Sequence, residues 1–431
     1  MKSLYDISVG AASGAATLFA KAIDTLTNGE CKSKTAQFCQ MQRDVFDKLN
    51  AALADNGWRD ASTSGPAYWF HASSLGEYAV ARPLMRALKE ANHGCRILLT
   101  FFSPTGVNAL KGAATLPCDI VVPMPLDTPE NAARFLDLVK PDRAVFMVSE
   151  LWPNYMSELT RRGIPSFLIS YVAKPGTALR KPWGGLLRDV VKGFTACTAL
   201  DDNSAAVLLE SGARSVTVCG NPALDNAIEV SRMDYRNDVV EKFVKAAGGA
   251  GVFIAGSVSD RRDTEMIADL ANDNPGTRFI VVPHEISEER LNTLRMHFKG
   301  NSALYSECDA DSDFTSIQVL VIDFVGALAR LYRYGRWAYV GGGFTRLLHS
   351  VIEPVAYGLP VSFGPRVERQ AAPRHLIDIG VGTIVENSAA LARWFAAVKD
   401  DDDKLALVKR LALDYVSHQS GATARVVEII R

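Results

Sequence analysis

The stretch Trp69-Phe70-His71-Ala72-Ser73-Ser74-Leu75-Gly76-Glu77 decides the fold. The apolar run from Ala67 to Phe70 reads as a strand that stops at small polar residues. Gly76 then precedes a helical pattern from Glu77 through Leu84, Leu88 and Lys89. A strand entering a helix through Ser-Ser-x-Gly puts backbone N–H groups and one carboxylate at the carboxyl end of a sheet. Open α/β sheets bind their ligands there. Glu77 falls in the first turn of that helix. On pattern alone it is equally a ligand-facing acid or a complement to the helix dipole.

The same alternation extends on both sides. A helix is expected over Ala36 to Leu53, then strands over 96–101, 118–123, 143–148, 166–170, 196–200 and 216–219. Helical patterns separate them, and most end in small or polar residues such as Ser103-Pro-Thr-Gly106 and Ser149-Glu150-Leu-Trp152. Gly220-Asn221-Pro222 reads as a hinge. A second run follows, with strands expected over 251–255, 278–282, 317–322, 337–340 and 360–363, a helix over Ser350 to Tyr357, and a mostly helical tail from Ala389. Strands separated by helices in this rhythm form parallel sheets. The expected architecture is α/β, with two Rossmann-like domains over residues 1–219 and 220–431 facing across a cleft.

Composition narrows the function. The 431 residues are 48% hydrophobic and 22% charged, an ordinary globular balance. Lys+Arg 47 against Asp+Glu 48 gives a net charge of −1, which offers no footprint for nucleic acid. Seven scattered cysteines without a Cys-x-x-Cys pair argue against a zinc ribbon or a disulfide framework and suggest a reducing compartment. The soft apolar pattern of Met1 to Leu26 carries Lys2, Asp6, Lys21 and Asp24, too polar for a comfortable membrane span. It fits a helix lying in a membrane interface or an ordinary surface helix.

Glu77 and Glu150 each stand just past a strand of the first half. Paired carboxylates divide general-base and electrostatic duties when their surroundings separate their proton affinities; helix capping is the structural alternative. In the second half, Gly341-Gly342-Gly343 after a strand offers N–H groups to a phosphate, with Gly256 and Ser257 as further donors. Glu353 suits ribose hydroxyls, and His284 and His349 sit in loops where they can reach phosphate oxygens. The acidic loop Asp309-Ala-Asp311-Ser-Asp313 fails as a calcium loop, because Phe314 holds the glycine position and Leu320 the bidentate glutamate position.

With these motifs in order, the chain resembles the 3-deoxy-D-manno-octulosonic acid (Kdo) transferases of lipopolysaccharide synthesis. The likeness rests on 69–77, Ser103-Pro-Thr-Gly106, Pro125-Leu-Asp-Thr-Pro129, Glu150-Leu-Trp-Pro-Asn154, Gly220-Asn221 with Asp225, Pro283-His284-Glu285, Val340-Gly-Gly-Gly-Phe344, His349, Glu353-Pro354 and Phe363-Gly-Pro365. The resemblance implies a glycosyltransferase-B fold that moves Kdo from CMP-Kdo to a lipid A precursor, lipid IVA, with inversion and without cofactor or dedicated metal. It implies an acceptor domain first, with contacts at Ser74, Gly76, Thr105 and Trp152, and a CMP-Kdo domain second. Glu77 matches the general base, expected to be kept ionised by the helix dipole, and Glu150 the second acid. Gly256, Ser257, His284, Gly341, Gly342, Gly343, His349 and Glu353 are expected to hold the nucleotide sugar. The family's place is the cytoplasmic face of the bacterial inner membrane, which favours a membrane-facing N-terminal helix. Departures stand at Tyr171-Val-Ala-Lys174-Pro175, where an arginine segment is usual, at Glu285 in place of an arginine beside His284, and at Thr345-Arg-Leu-Leu348-His349-Ser350. A transferase of the same fold using another nucleotide sugar is the competing reading. A non-catalytic binding protein on this scaffold is the second.

Overall fold

Strand β1 (Ala67–Ala72) is buried along its whole length. Side chains alternate across a strand, so β1 feeds two cores. Ala67 and Trp69 pack with Ala144, Phe146, Phe135 and Tyr155 on one face. Tyr68, Phe70 and Ala72 pack with Val80, Leu84, Met85 and Val145 on the other. Trp69 anchors its face, with ring centroids 4.7 Å from Phe135, 5.1 Å from Phe146 and 5.3 Å from Tyr155.

The computed structural model describes residues 2–3, 5–10, 34–58, 65–110, 116–345, 348–367 and 370–431. After β1 come β2 (Arg96–Phe101), β3 (Ile120–Pro123), β4 (Arg143–Met147), β5 (Ser166–Tyr171), β6 (Ala196–Ala199) and β7 (Val216–Val218). They form one parallel sheet in the order β3-β2-β1-β4-β5-β6-β7. The chain runs outward from β1 through β2 and β3, then returns to pair β4 on the other side of β1. The strand order therefore reverses between β1 and β4, and a crevice opens at their carboxyl ends.

The second sheet repeats the scheme with β8 (Val252–Val258), β9 (Arg278–Pro283), β10 (Asn301–Leu304), β11 (Ile317–Val321), β12 (Trp337–Val340), β13 (Val361–Phe363) and β14 (Gly382–Ile384). Its order is β10-β11-β9-β8-β12-β13-β14, again parallel, with the reversal between β8 and β12. The two edge strands β10 and β14 have no counterpart in the sequence reading. Both are short, and Asn301, Ser302 and Gly382 carry little strand signal. The helix expected over Ala36 to Leu53 is two helices, Lys34–Arg43 and Val45–Asp55. The helix expected over Ser350 to Tyr357 shrinks to the single turn Ile352–Val355, as Pro354 discourages extension.

The chain divides into two compact units, Met1–Asn226 with Ser420–Arg431, and Ala227–Gln419. The expected division at 219/220 assigned the whole tail to the second half. The closing helix Ala422–Ile430 belongs to the first unit instead. Val426, Val427 and Ile430 are buried in the core against the helix Leu75–Ala91. Asp225 accepts hydrogen bonds from Gly421 N at 2.8 Å and Thr423 N at 2.6 Å, satisfying that helix's start, and Arg425 donates to Cys219 O at 2.9 Å.

The apolar N-terminal pattern lies largely outside the described residues. Residues 5–10 are helical, and the Tyr5 hydroxyl donates to Asp127 Oδ2 at 2.7 Å. Among the described residues no helix is long and apolar enough to cross a membrane.

Candidate active site

The two acids meet at the reversal point of the first sheet. Glu150 follows β4, and its Oε2 collects three donors: Ser73 Oγ at 2.5 Å, Trp152 Nε1 at 2.8 Å and His71 Nε2 at 3.2 Å. His71 is fully buried near the end of β1, paired in register with Thr100 on β2 and Phe146 on β4. Its Nδ1 lies 2.8 Å from Thr100 Oγ1, which also accepts from Trp69 Nε1 at 2.9 Å. An ionised Glu150 offers no proton, so a proton on His71 Nε2 points at it. Burial by itself raises the proton affinity of Glu150. The hydrogen bond and charge of His71, with Ser73 and Trp152, outweigh burial and hold the carboxyl below its ordinary range.

Glu77 is the third residue of the helix Leu75–Ala91, where it completes a capping box with Ser74. Ser74 N donates to Glu77 Oε2 at 3.0 Å. Burial and then the Glu150 charge push the Glu77 carboxyl up to about 8, against the lowering effect of N–H groups from Ser74 and Ser73. The expectation that the helix dipole keeps Glu77 fully ionised is therefore corrected: desolvation and a like charge outweigh the helix start. The capping and acid readings of Glu77 also turn out to be compatible, since one carboxylate does both.

The turn into Glu150 is strained. Val148 has φ of +56°, a left-handed conformation that costs a β-branched residue about 1–2 kcal/mol. Val148 N donates to Ile169 O at 2.7 Å, and Glu150 N to Met147 O at 3.1 Å, so the reversal is hydrogen-bonded at both ends. Such strain clusters at functional sites.

Around the acids, Ser74 and Gly76 are exposed at the helix start. A side chain on Gly76 meets nothing closer than Ser74 Oγ at 3.7 Å, so packing does not demand glycine and space is open there. Trp152 touches both the acid and an aromatic row: its ring lies 5.5 Å from His71 and 5.0 Å from Phe102, which lies 5.1 Å from Phe38. Thr105 is exposed on the short helix Pro104–Leu110, tied to the β1 loop by Ser103 N to Ser73 O at 3.1 Å. Two other motif acids are structural: Asp225 caps the closing helix, and buried Asp127 accepts from Asn154 N at 3.1 Å and Tyr155 N at 3.0 Å at the start of the helix Pro153–Arg162.

The second unit gathers Gly256, Ser257, Gly341, Gly342, Gly343, His284 and His349 at the reversal between β8 and β12. The glycine turn does not act as the sequence suggests. Gly341 N donates to Gly256 O at 2.9 Å and Gly342 N to Asp263 Oδ2 at 2.9 Å, so neither faces outward as a phosphate donor. The glycines serve close backbone approach: a Cβ on Gly341 would strike Ser257 O, and one on Gly343 would lie 2.5 Å from Gly364 N. Fully buried Asp263 also accepts from Tyr339 Oη at 2.5 Å and Ser259 N at 2.9 Å, and so organises the turn.

His349 Nε2 lies 2.9 Å from Ser259 Oγ, whose hydroxyl donates to Ser257 O at 2.8 Å, so the ring carries the proton on Nε2. Its ring stacks on His284 with centroids 4.2 Å apart. Burial, then His284, lowers its proton affinity to about 4, and His349 is neutral at pH 7. Burial pushes Glu353 up to about 7, and among the described residues no group hydrogen-bonds its carboxylate.

His71, Thr100, Ser73, Ser259 and Asp263 carry this geometry but were given no role by the sequence. The available signal was a histidine and a threonine inside otherwise apolar buried strands.

Residues 46–226 match the family model for 3-deoxy-D-manno-octulosonic-acid transferase (kdotransferase). The chain is 26% identical over 337 residues to the 3-deoxy-D-manno-octulosonic acid transferase of Aquifex aeolicus (strain VF5), covering 75% of this chain and 84% of that protein. It is 26% identical over 377 residues to the protein of that name from Bordetella pertussis, covering 84% and 86%. Among solved structures, a putative UDP-N-acetylglucosamine 2-epimerase from Listeria monocytogenes superposes with a TM-score of 0.58 at 12% identity, over 84% of this chain and 95% of that one. The calicheamicin glycosyltransferase CalG4 superposes with a TM-score of 0.51 at 12% identity, over 85% and 97%. Those likenesses show the fold, two Rossmann-like domains of the glycosyltransferase-B kind. The transferase family model on its first unit and the transferase relatives along most of its length together support the 3-deoxy-D-manno-octulosonic acid transferase family for this chain.

Proposed function

We propose that the protein transfers Kdo from CMP-Kdo to a hydroxyl of a lipid A precursor, lipid IVA, in lipopolysaccharide synthesis at the cytoplasmic face of the inner membrane. The observation that carries this reading is the Glu77–Glu150 pair at the first sheet's reversal point. One carboxylate is stripped of ordinary acidity by burial and a like charge; the other is held ionised by three donors.

In this reading the first unit takes the acceptor near Ser74, Gly76, Thr105 and Trp152. Glu77 removes the acceptor hydroxyl proton as CMP departs, and attack opposite the leaving group inverts the anomeric carbon. A base with raised proton affinity takes that proton more readily at neutral pH than an ordinary carboxylate does. Glu150 supplies the negative charge that raises it, and Trp152 walls the acceptor side. The second unit takes the nucleotide sugar, with His284, His349 and Glu353 at its β8/β12 reversal. Neutral His349 has its Nε2 proton engaged by Ser259, so its Nδ1 is an acceptor, suited to a ligand hydroxyl or amino group rather than to phosphate.

Incubation with freshly generated CMP-Kdo and lipid IVA, read by mass spectrometry, tests the reading. A mass increase of one or more Kdo units is expected. Saturable binding of UDP or GDP in place of CMP, without a mass increase, favours a different nucleotide sugar and removes this proposal.

A further inference from the structure

The first unit contains a buried polar chain that the transfer reaction as described does not use. It runs Trp69 Nε1 to Thr100 Oγ1 at 2.9 Å, Thr100 Oγ1 to His71 Nδ1 at 2.8 Å, and His71 Nε2 to Glu150 Oε2 at 3.2 Å. Trp69, His71 and Thr100 are all fully buried, and they sit on β1 and β2, which pair in register along their whole length beside the site. A core position filled by tryptophan, threonine and histidine in hydrogen-bonded series, where apolar residues fill the rest of the strand, is a costly arrangement unless its end does something.

We propose that Trp69, Thr100 and His71 form a positioning relay that fixes the His71 Nε2 proton toward Glu150 and so keeps that carboxylate bare and turned to Glu77. The Trp69 indole can only donate, so Thr100 Oγ1 must accept from it. The one remaining hydroxyl proton of Thr100 then goes to His71 Nδ1 or to Phe70 O, 3.3 Å away. In the first case the ring proton sits on Nε2; in the second Nδ1 donates to Thr100, and the ionised Glu150, which has no proton to offer, still calls for one on Nε2. Either way an N–H faces Glu150. The titratable groups facing Glu150 are His71 from β1 and Glu77 from the helix Leu75–Ala91; its other donors, Ser73 and Trp152, carry no charge. Thr100 touches neither acid, so it is a positioning residue two hydrogen bonds away from Glu150.

The inference rests on the transferase reading only for its consequence in catalysis, and its test has one arm that needs no transfer. The full-length protein is labelled with 13C in its glutamate carboxyls and titrated by NMR, with Glu77→Gln and Glu150→Gln assigning the pair. Wild type is expected to show the Glu77 carboxyl titrating near neutral to alkaline pH and the Glu150 carboxyl at an acid midpoint below the ordinary carboxylate range. Thr100→Val keeps the volume and removes the hydroxyl; it is expected to raise the Glu150 midpoint by on the order of one pH unit. Thr100→Ser is expected to restore it. His71→Leu gives the same reading with the relay's last member gone and serves where Thr100→Val does not fold. In the second arm, with both carboxylates bare in the competent state, the main acidic limb of kcat/KM for Kdo transfer is set by Glu77, and the fall doubles in steepness where Glu150 also takes a proton; Thr100→Val moves that steepening to higher pH. A merely structural role lowers activity equally at every pH and leaves the steepening in place.

An unmoved Glu150 midpoint in both Thr100→Val and His71→Leu overturns the relay, whatever the activity. A moved midpoint in a protein that transfers no Kdo leaves the relay standing and removes the transferase reading.

Discussion

Glutamine at position 77 keeps the acceptor oxygen that a capping box requires, so Glu77→Gln removes the base while sparing the helix start. Loss of a positioned general base lowers turnover by about 10²–10⁴-fold, and steady-state assay of the variant should show that range with little change in far-ultraviolet circular dichroism. A second expectation concerns stability. The folded carboxyl titrates at about 8 against an ordinary 4.5, so folding favours its protonated form. The stability it contributes is complete below about 4.5 and is lost as the pH rises through about 8. Melting curves should therefore find Glu77→Gln gaining on wild type at pH 9 relative to pH 5; a difference independent of pH contradicts the buried like-charge pair. Glu150→Gln removes the charge that helps to raise Glu77. Its residual activity should show an acidic limb at lower pH than wild type. The identity of the two acids was legible in the sequence, because each follows a strand. Their unequal environments were not, because His71 and Thr100 become neighbours only through the pairing of β1 with β2.

At the scale of elements, the glycine turn after β12 shows how a motif can be read correctly in position and wrongly in mechanism. The sequence placed Gly341-Gly342-Gly343 after a strand, as observed. It could not show that Asp263, nearly eighty residues earlier, and Gly256 on the neighbouring strand take two of the three N–H groups. Gly343→Ala presses a methyl group onto the Gly364 backbone, where no flexible side chain can yield. Thermal denaturation should find the variant clearly destabilised, whereas an unchanged transition would show that the turn opens freely. Asp225 is similar: quoted as part of a motif, it caps a helix from the far end of the chain. Asp225→Ala should cost about 1–2 kcal/mol in chemical denaturation. The short strands β10 and β14 escaped notice because edge strands of three or four residues carry too little hydrophobic pattern. Strands β1, β4, β8 and β12, which form the two reversal points, were all legible, since buried parallel strands read as continuous apolar runs.

Over the whole molecule, the tandem plan of two Rossmann-like sheets was legible from the rhythm of strands and helices, but the path of the tail was not. A helix from 422 to 430 looks from sequence like an extension of the second half; only Val426, Val427 and Ile430 in the first core reveal where it belongs. Removing residues 420–431 uncovers that core, so hydrogen exchange should rise first in 67–101 and leave 252–363 protected. The reverse pattern contradicts the division into units. The two reversal points give the molecule two chemically distinct crevices, one lined by acids and one by histidines and a spent glycine turn. The central claim is that the first of these holds the base for Kdo transfer. Product formation from CMP-Kdo and lipid IVA by wild type and Glu77→Gln, followed side by side by mass spectrometry, tests it most directly. The account predicts Kdo added by wild type and transfer slowed by at least about a hundredfold in the variant; equal rates from both proteins, or no transfer by wild type, would contradict it.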